Sequence, residues 1–139
     1  MDQPITLQVG VKILLRNSEG KYLLLHRSAQ KYPEAQGRWD IVGGRINPGT
    51  PLLDNLRREV KEETNLEIIG EPRLVAAQDI LRVPGRHVVR LTYIGQAAGE
   101  IKLDEEENDA YAWHDESEIT ALDDLDGYLK EVITKIWSK

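Results

Sequence analysis

Residues 43–66 read GGRINPGTPLLDNLRREVKEETNL. A Gly-Gly pair opens the stretch, Pro48-Gly49 forms a turn, and a run with helical spacing follows. Leu52, Leu53, Leu56 and Val60 recur at the intervals of one helix face. Thr50 suits the N-cap and Pro51 the first helical position. At about 100° per residue, Glu59 and Glu63 share a face and Glu62 lies next to them.

This helix breaks local rules. Its carboxylates crowd the last turns, where the macrodipole favours cations. Glu59 and Glu63 form a like-charge pair that costs roughly a few tenths of a kcal/mol. Glu63 also lies at the edge of the leucine stripe, where an unpaired charge is poorly solvated. A sequence that violates its own local logic points to a functional site. A divalent cation between the carboxylates would offset these costs, and Mg²⁺ favours such hard oxygen ligands. The plain alternative is a solvated helix rich in Glu and Lys.

The stretch resembles the Nudix box, G-x5-E-x7-R-E-U-x-E-E-x-G-U, where U is a bulky aliphatic residue. Gly44 matches the first glycine, Arg58-Glu59 the RE pair, Val60 the first U, Glu62-Glu63 the EE pair and Leu66 the last U. Thr50 stands where the family has a glutamate, and Asn65 where it has glycine. Asn65 is a mild change, because Asn tolerates a left-handed C-cap. Thr50 removes a carboxylate from the metal-binding end, and Asn47 replaces an acid often seen nearby.

The bulk properties set outer limits. At 139 residues the chain fits one domain, residues 1–139, with a sizeable core. A net charge of −6 argues against a nucleic-acid polymer as partner. Absence of cysteine excludes disulfides and zinc-thiolate sites. No run of about 18 apolar residues exists, so no membrane span is expected. The N-terminus lacks a signal pattern, and a cytoplasmic location is the expectation. Apolar strand edges permit a homodimer, though no stretch demands one.

Ile5, Leu7, Val9, Val11, Ile13 and Leu15 alternate with mostly polar or small residues, which predicts a half-buried strand. Residues 17–20 form a turn into a second strand, 21–27, giving a hairpin. Residues 28–38 read as a loop and 39–42 as a short strand leading into the box. Residues 66–81 are strand-like but broken around Glu71-Pro72, and 87–97 return as a strand after a turn at 83–86. An acidic loop, 99–109, precedes a short strand, 110–114. A terminal helix carries Tyr128, Leu129, Val132, Ile133 and Ile136 on one face. Strands with one central and one terminal helix predict an α+β layered domain. The resemblance sharpens this to a Nudix-type α/β/α sandwich with a mixed β-sheet.

The resemblance implies a Mg²⁺-dependent hydrolase, with Mn²⁺ as a substitute, acting on a small-molecule nucleotide. It makes Glu59 and Glu63 the principal metal ligands, with Glu62 a further ligand or the general base, and Arg58 the residue that orients Glu59 or Glu62, a surface arginine paired along the helix being the alternative. Gly43 and Gly44 are expected to turn the backbone tightly beside the metal. An acid from the run Asp104-Glu105-Glu106-Glu107 would complete the site or act as base, and Glu107 is the position chosen. A solvated acidic loop is the alternative there. Arg27, Arg38, Arg82, Arg86 and Arg90 are candidates for phosphate contacts. Trp39, Tyr32 and Tyr22 are candidates for stacking on a base, with a core role the alternative for Trp39. His26 and His87 are read as structural. The favoured substrate is a nucleoside triphosphate, oxidised dNTPs included, cut to monophosphate and pyrophosphate. ADP-ribose or a dinucleoside polyphosphate is the runner-up. The rival class is a non-catalytic nucleotide-binding module, which Thr50 and Asn47 motivate and the intact quartet Arg58, Glu59, Glu62 and Glu63 opposes.

Overall fold

A strand buried on both faces organises the molecule. The computed structural model describes residues 4–33 and 37–138, so residues 34–36 of the expected loop lie outside it. β1 (Thr6–Arg16) pairs in parallel with β6 (Arg86–Ala98) along its whole length. On its other side β1 pairs antiparallel with β4 (Val42–Arg45) and, beyond it, with β2 (Tyr22–Arg27). β3 (Trp39–Asp40) and β7 (Asn108–His114) flank β2, and β5 (Glu67–Ile80) flanks β6, all antiparallel. One parallel pair among antiparallel ones makes the sheet mixed.

Helix α1 (Leu52–Thr64) covers one face, packing Leu56 and Val60 on Val11, Ile13 and Leu15. On the other face, Ile119 of α2 (Glu116–Thr120) and Leu129 and Ile133 of α3 (Gly127–Ile136) pack on Leu14 and Leu24. The result is an α+β sandwich of helix, mixed sheet and helices, as expected. No helix among the described residues is long and apolar enough to cross a membrane.

Several local expectations change. Central β1 is covered on both sides, with Ile13, Leu14 and Leu15 all fully buried, whereas Ile5 and Leu7 project past the helices and are exposed. The N-cap of α1 is Pro51 rather than Thr50, and no side chain caps it. Asn55, fully buried one turn in, closes this end instead: its Nδ2 donates to the carbonyls of Thr50 and Pro51, each at 2.8 Å. Leu52 faces solvent and is not part of the stripe that packs. Asn65 ends the helix in the left-handed conformation, φ 66°, as its box position foretold.

β5 does not break at Glu71-Pro72. The register with β6 jumps between Ile69 and Arg73, and Gly70 takes φ 70°, so a bulge absorbs the proline within one strand. Helix α2 lies in a stretch for which the sequence pattern predicts no element. Its signal is present: Asp115 Oδ1 accepts from Glu118 N at 2.8 Å, and the Glu118 side chain accepts from Asp115 N at 3.0 Å, a capping box.

Candidate active site

β4 and α1 meet through glycine. Gly43 and Gly44 do not form a turn; they lie in β4, opposite Lys12 and Val11 of β1. Gly43 has φ 147°, and a Cβ there would stand 2.0 Å from Val11 O. A Cβ on Gly44 would stand 2.7 Å from Glu59 Oε2. The glycines thus let the strand pass between β1 and the carboxylates of α1. Gly43 N donates to Glu63 Oε2 at 3.0 Å, which ties the strand to the helix end.

Burial is the main force on these acids. It pushes Glu63 up to about 7; the carboxylates of Glu59 and Glu107 add to the shift, while Lys12 and the Gly43 N–H oppose it. Burial likewise raises Glu59, with Glu62 adding and Arg58 opposing. Arg58 acts as a fork. Its Nη1 lies 3.0 Å from Glu59 Oε1 and 3.4 Å from Glu62 Oε2, and its Nη2 donates to Asn55 Oδ1 at 3.1 Å. Arg58 therefore touches Glu59 and Glu62, either of which it was expected to orient.

Glu62 is the most exposed of the three box acids. Its side chain is 58% exposed, because the helical twist carries it away from the β4 side that Glu59 and Glu63 face. Among the described residues no three His, Cys, Asp or Glu side chains are grouped as they would be around a metal ion. Glu59 and Glu63 nonetheless fit a hard divalent cation. Both are oxygen donors held beside a strand stripped of Cβ atoms, and both have raised pKa values.

Glu63 opens onto a cleft of about 460 Å³ between the sheet and the start of α3. Gly43, Gly44, Arg27, Tyr32 and Glu107 line it, whereas Glu59, Glu62, Arg58 and Trp39 do not. Glu107 thus shares the cleft with Glu63 across a long sequence gap. Burial would raise its pKa, but hydrogen bonds from Lys31 and from Tyr32 Oη, the latter at 2.5 Å, hold it below the ordinary carboxylate range. Trp39 is not a stacking platform in this cleft. It packs with the α3 cluster, edge-on to His26 at 4.8 Å and to His114 at 6.4 Å between ring centroids. Tyr22 is likewise buried against Trp137.

The cleft floor holds an ionic network that sequence reasoning missed. Asp40, 2% exposed, receives Arg90 Nη2 at 2.9 Å, Arg27 Nη2 at 2.5 Å and Lys12 Nζ at 3.3 Å. Burial alone would raise its pKa, but the cations Arg90, Lys12 and Arg27 hold it far below the usual carboxylate range. Arg90 Nη1 also reaches Asp126 Oδ2 at 3.2 Å, and Asp126 caps α3 by accepting from Leu129 N at 3.0 Å. Arg27 and Arg90, read as free phosphate contacts, are largely committed to these acids. The available signal was a charge inside an apolar strand: Lys12 among Val11, Ile13 and Leu14, and Asp40 before Ile41 and Val42.

This architecture has counterparts among solved MutT proteins. A MutT protein from Methanosarcina mazei Go1 superposes with a TM-score of 0.81 at 25% identity, covering 96% of this chain and 95% of that one. A MutT Nudix hydrolase from Burkholderia pseudomallei shares the fold with a TM-score of 0.73 at 22% identity, covering 94% and 98%. The profile of the NUDIX domain matches residues 6–136, and the chain belongs to the Nudix family. Among curated relatives, the human 8-oxo-dGDP phosphatase NUDT18 is 32% identical over 93 residues, 67% of this chain and 27% of that protein. The uncharacterized Nudix hydrolase YvcI of Bacillus subtilis (strain 168) is 28% identical over 109 residues, 76% of this chain and 65% of that protein. The chain therefore spans less than two thirds of either relative's length.

Proposed function

We propose that this chain is a divalent-metal-dependent pyrophosphohydrolase that cuts the phosphoanhydride of a nucleoside diphosphate linked to another moiety. The family match and the hydrolase relatives support the reaction class. The observation that carries the reading is the pair Glu59 and Glu63, clasped about Gly43-Gly44, with Glu63 at a cleft lined by Lys12 and Arg27. Glu59 and Glu63 would hold the cation, Mg²⁺ by preference and Mn²⁺ as a substitute. When bound, such a cation neutralises phosphate oxygens and makes a nearby water more acidic.

The chain's own residues supply the rest. Arg58 fixes the Glu59 carboxylate through a charge-assisted hydrogen bond. Of the box acids, only Glu63 lines the cleft, and a cation bound there would keep its buried carboxylate ionised. Glu107, kept ionised by Lys31 and Tyr32, is suited to hold charge in the cleft rather than take up a proton. Lys12 and Arg27 place positive charge where a diphosphate would lie. A nucleoside triphosphate, oxidised dNTPs included, cut to monophosphate and pyrophosphate is the favoured substrate. ADP-ribose and dinucleoside polyphosphates follow.

A second reading, a nucleotide-binding module without turnover, rests on Thr50 in the box and on the outward turn of Glu62. Phosphate release from nucleoside triphosphates, 8-oxo-dGTP, ADP-ribose and diadenosine polyphosphates, coupled to pyrophosphatase or phosphatase, separates the two. Turnover that needs Mg²⁺ and disappears in Glu63→Gln is the expected result. A nucleotide that raises the melting temperature while none of the panel is hydrolysed would leave only the binding module.

A further inference from the structure

One glycine in the cleft is not required by the fold. Gly10 of β1 has no left-handed φ, and a Cβ there would meet only ordinary contacts, 3.7 Å from Gly44 O and 4.0 Å from Val88 Cγ1. Glycine inside a strand weakens it, so its presence calls for another reason. Gly10 is opposite Arg45 on β4 and opposite Arg90 on β6, a row that runs straight across three strands. Partners in register project from the same face of a sheet. Two arginines therefore flank a bare patch of backbone, separated by two strand spacings, or about 10 Å. All three residues line the cleft.

The surrounding charge is lopsided. Apart from Glu63 and Glu107, the cleft carries Lys12, Arg27, Arg45, Arg82, Arg86 and Arg90 against Asp40 and Asp126, in a protein of net charge −6. Asp40 and Asp126 engage Lys12, Arg27 and Arg90. Arg45, Arg82 and Arg86 are exposed and make no ion pair among the described residues. Arg82 sits over the Tyr128 ring, 5.3 Å from its centroid, at the cleft wall. Arg90 Nε is a buried donor without a partner, in a residue only 4% exposed. A concave surface with surplus exposed guanidinium groups focuses anions.

We infer that the floor at Gly10, between Arg45 and Arg90 and beneath Arg82 and Arg86, is a second anion subsite. It takes a phosphate that the substrate carries beyond the bond to be cut. The inference rests on the proposed pyrophosphohydrolase reading and narrows it. A nucleoside triphosphate or dinucleoside polyphosphate has such a phosphate, whereas ADP-ribose ends in a neutral sugar.

The test uses inorganic tripolyphosphate as the probe, titrated calorimetrically into the metal-free protein. Tripolyphosphate binds the wild type, and Arg45→Gln, Arg86→Gln and Gly10→Val each weaken it about tenfold, the scale of one lost charge-assisted hydrogen bond. Arg73→Gln, exposed on β5 outside the cleft, leaves binding unchanged. Should Gly10→Val fail to fold, the arginine variants decide the matter. In steady-state assays the same variants raise KM for a triphosphate more than KM for ADP-ribose, with kcat retained. Absence of tripolyphosphate binding, or equal weakening by Arg73→Gln, overturns the subsite. If the wild type hydrolyses nothing, the pyrophosphohydrolase reading falls while the titration still decides the subsite.

Discussion

Glu63 places stability and the proposed cation site on the same atoms. Burial raises its folded pKa to about 7, above the ordinary 4.5, so the native state holds this proton more tightly than the unfolded chain does. Its contribution is greatest below the unfolded value and is lost as pH rises from about 4.5 to about 7, then stays flat. Glu63→Gln removes the buried charge. In metal-free protein it is expected to raise the melting temperature at pH 8 by a few degrees and to change little at pH 4.5. Calorimetric melting across that range in EDTA checks this, and a variant less stable than wild type at pH 8 would contradict it. The position of Glu63 beside Glu59 was legible in the sequence because helical periodicity alone places them. Its hydrogen bond to Gly43 was not, since that depends on how β4 docks.

At the scale of the element, α1 shows what caps and spacing encode. Its C-terminus at Asn65 followed from the box, and its packing residues Leu56 and Val60 from periodicity. Its beginning did not follow. Asn55 secures that end from inside the helix, with Oδ1 accepting from Asn47 N at 2.9 Å and from Arg58 Nη2 at 3.1 Å. Asn55→Ala leaves buried partners unpaired and is expected to cost about 1–3 kcal/mol in urea denaturation. Because Asn55 also steadies Arg58, turnover should fall with it. An unchanged denaturation midpoint would show that the loop closes without Asn55. Asn has no propensity that announces this role, and its partners lie on the preceding loop.

At the scale of the whole molecule, the network of Asp40, Arg90, Asp126, Lys12 and Arg27 joins β1, β2, β3, β6 and the start of α3. Its worth lies in its completeness. Asp40→Asn strands cations in a buried site, a change expected to cost about 3–5 kcal/mol by urea denaturation at pH 7. The pH sign is opposite to that of Glu63. Asp40 is depressed in the native state, so its contribution is present above its unfolded value of 3.8 and is lost as pH falls below it. Loss of stability below pH 4 that is absent from Asp40→Asn is the expected signature. A variant as stable as wild type at pH 7 would show that the network adds nothing net.

The sequence by itself determined what spacing along one element fixes: the carboxylate face of α1, its left-handed end at Asn65, the alternating strands and the family motif. It also placed Glu107 in the acidic loop that does reach the cleft. Only the tertiary structure decided which of these residues meet. Glu62 turns to solvent, Trp39 joins the α3 cluster, and Asp40 finds Arg90 fifty residues away. The last contact depends on β1 lying parallel to β6 in one register and on α3 covering their shared face. Local periodicity sets the direction of a side chain within its own helix or strand, whereas partners across the sheet are set by the packing of the whole chain.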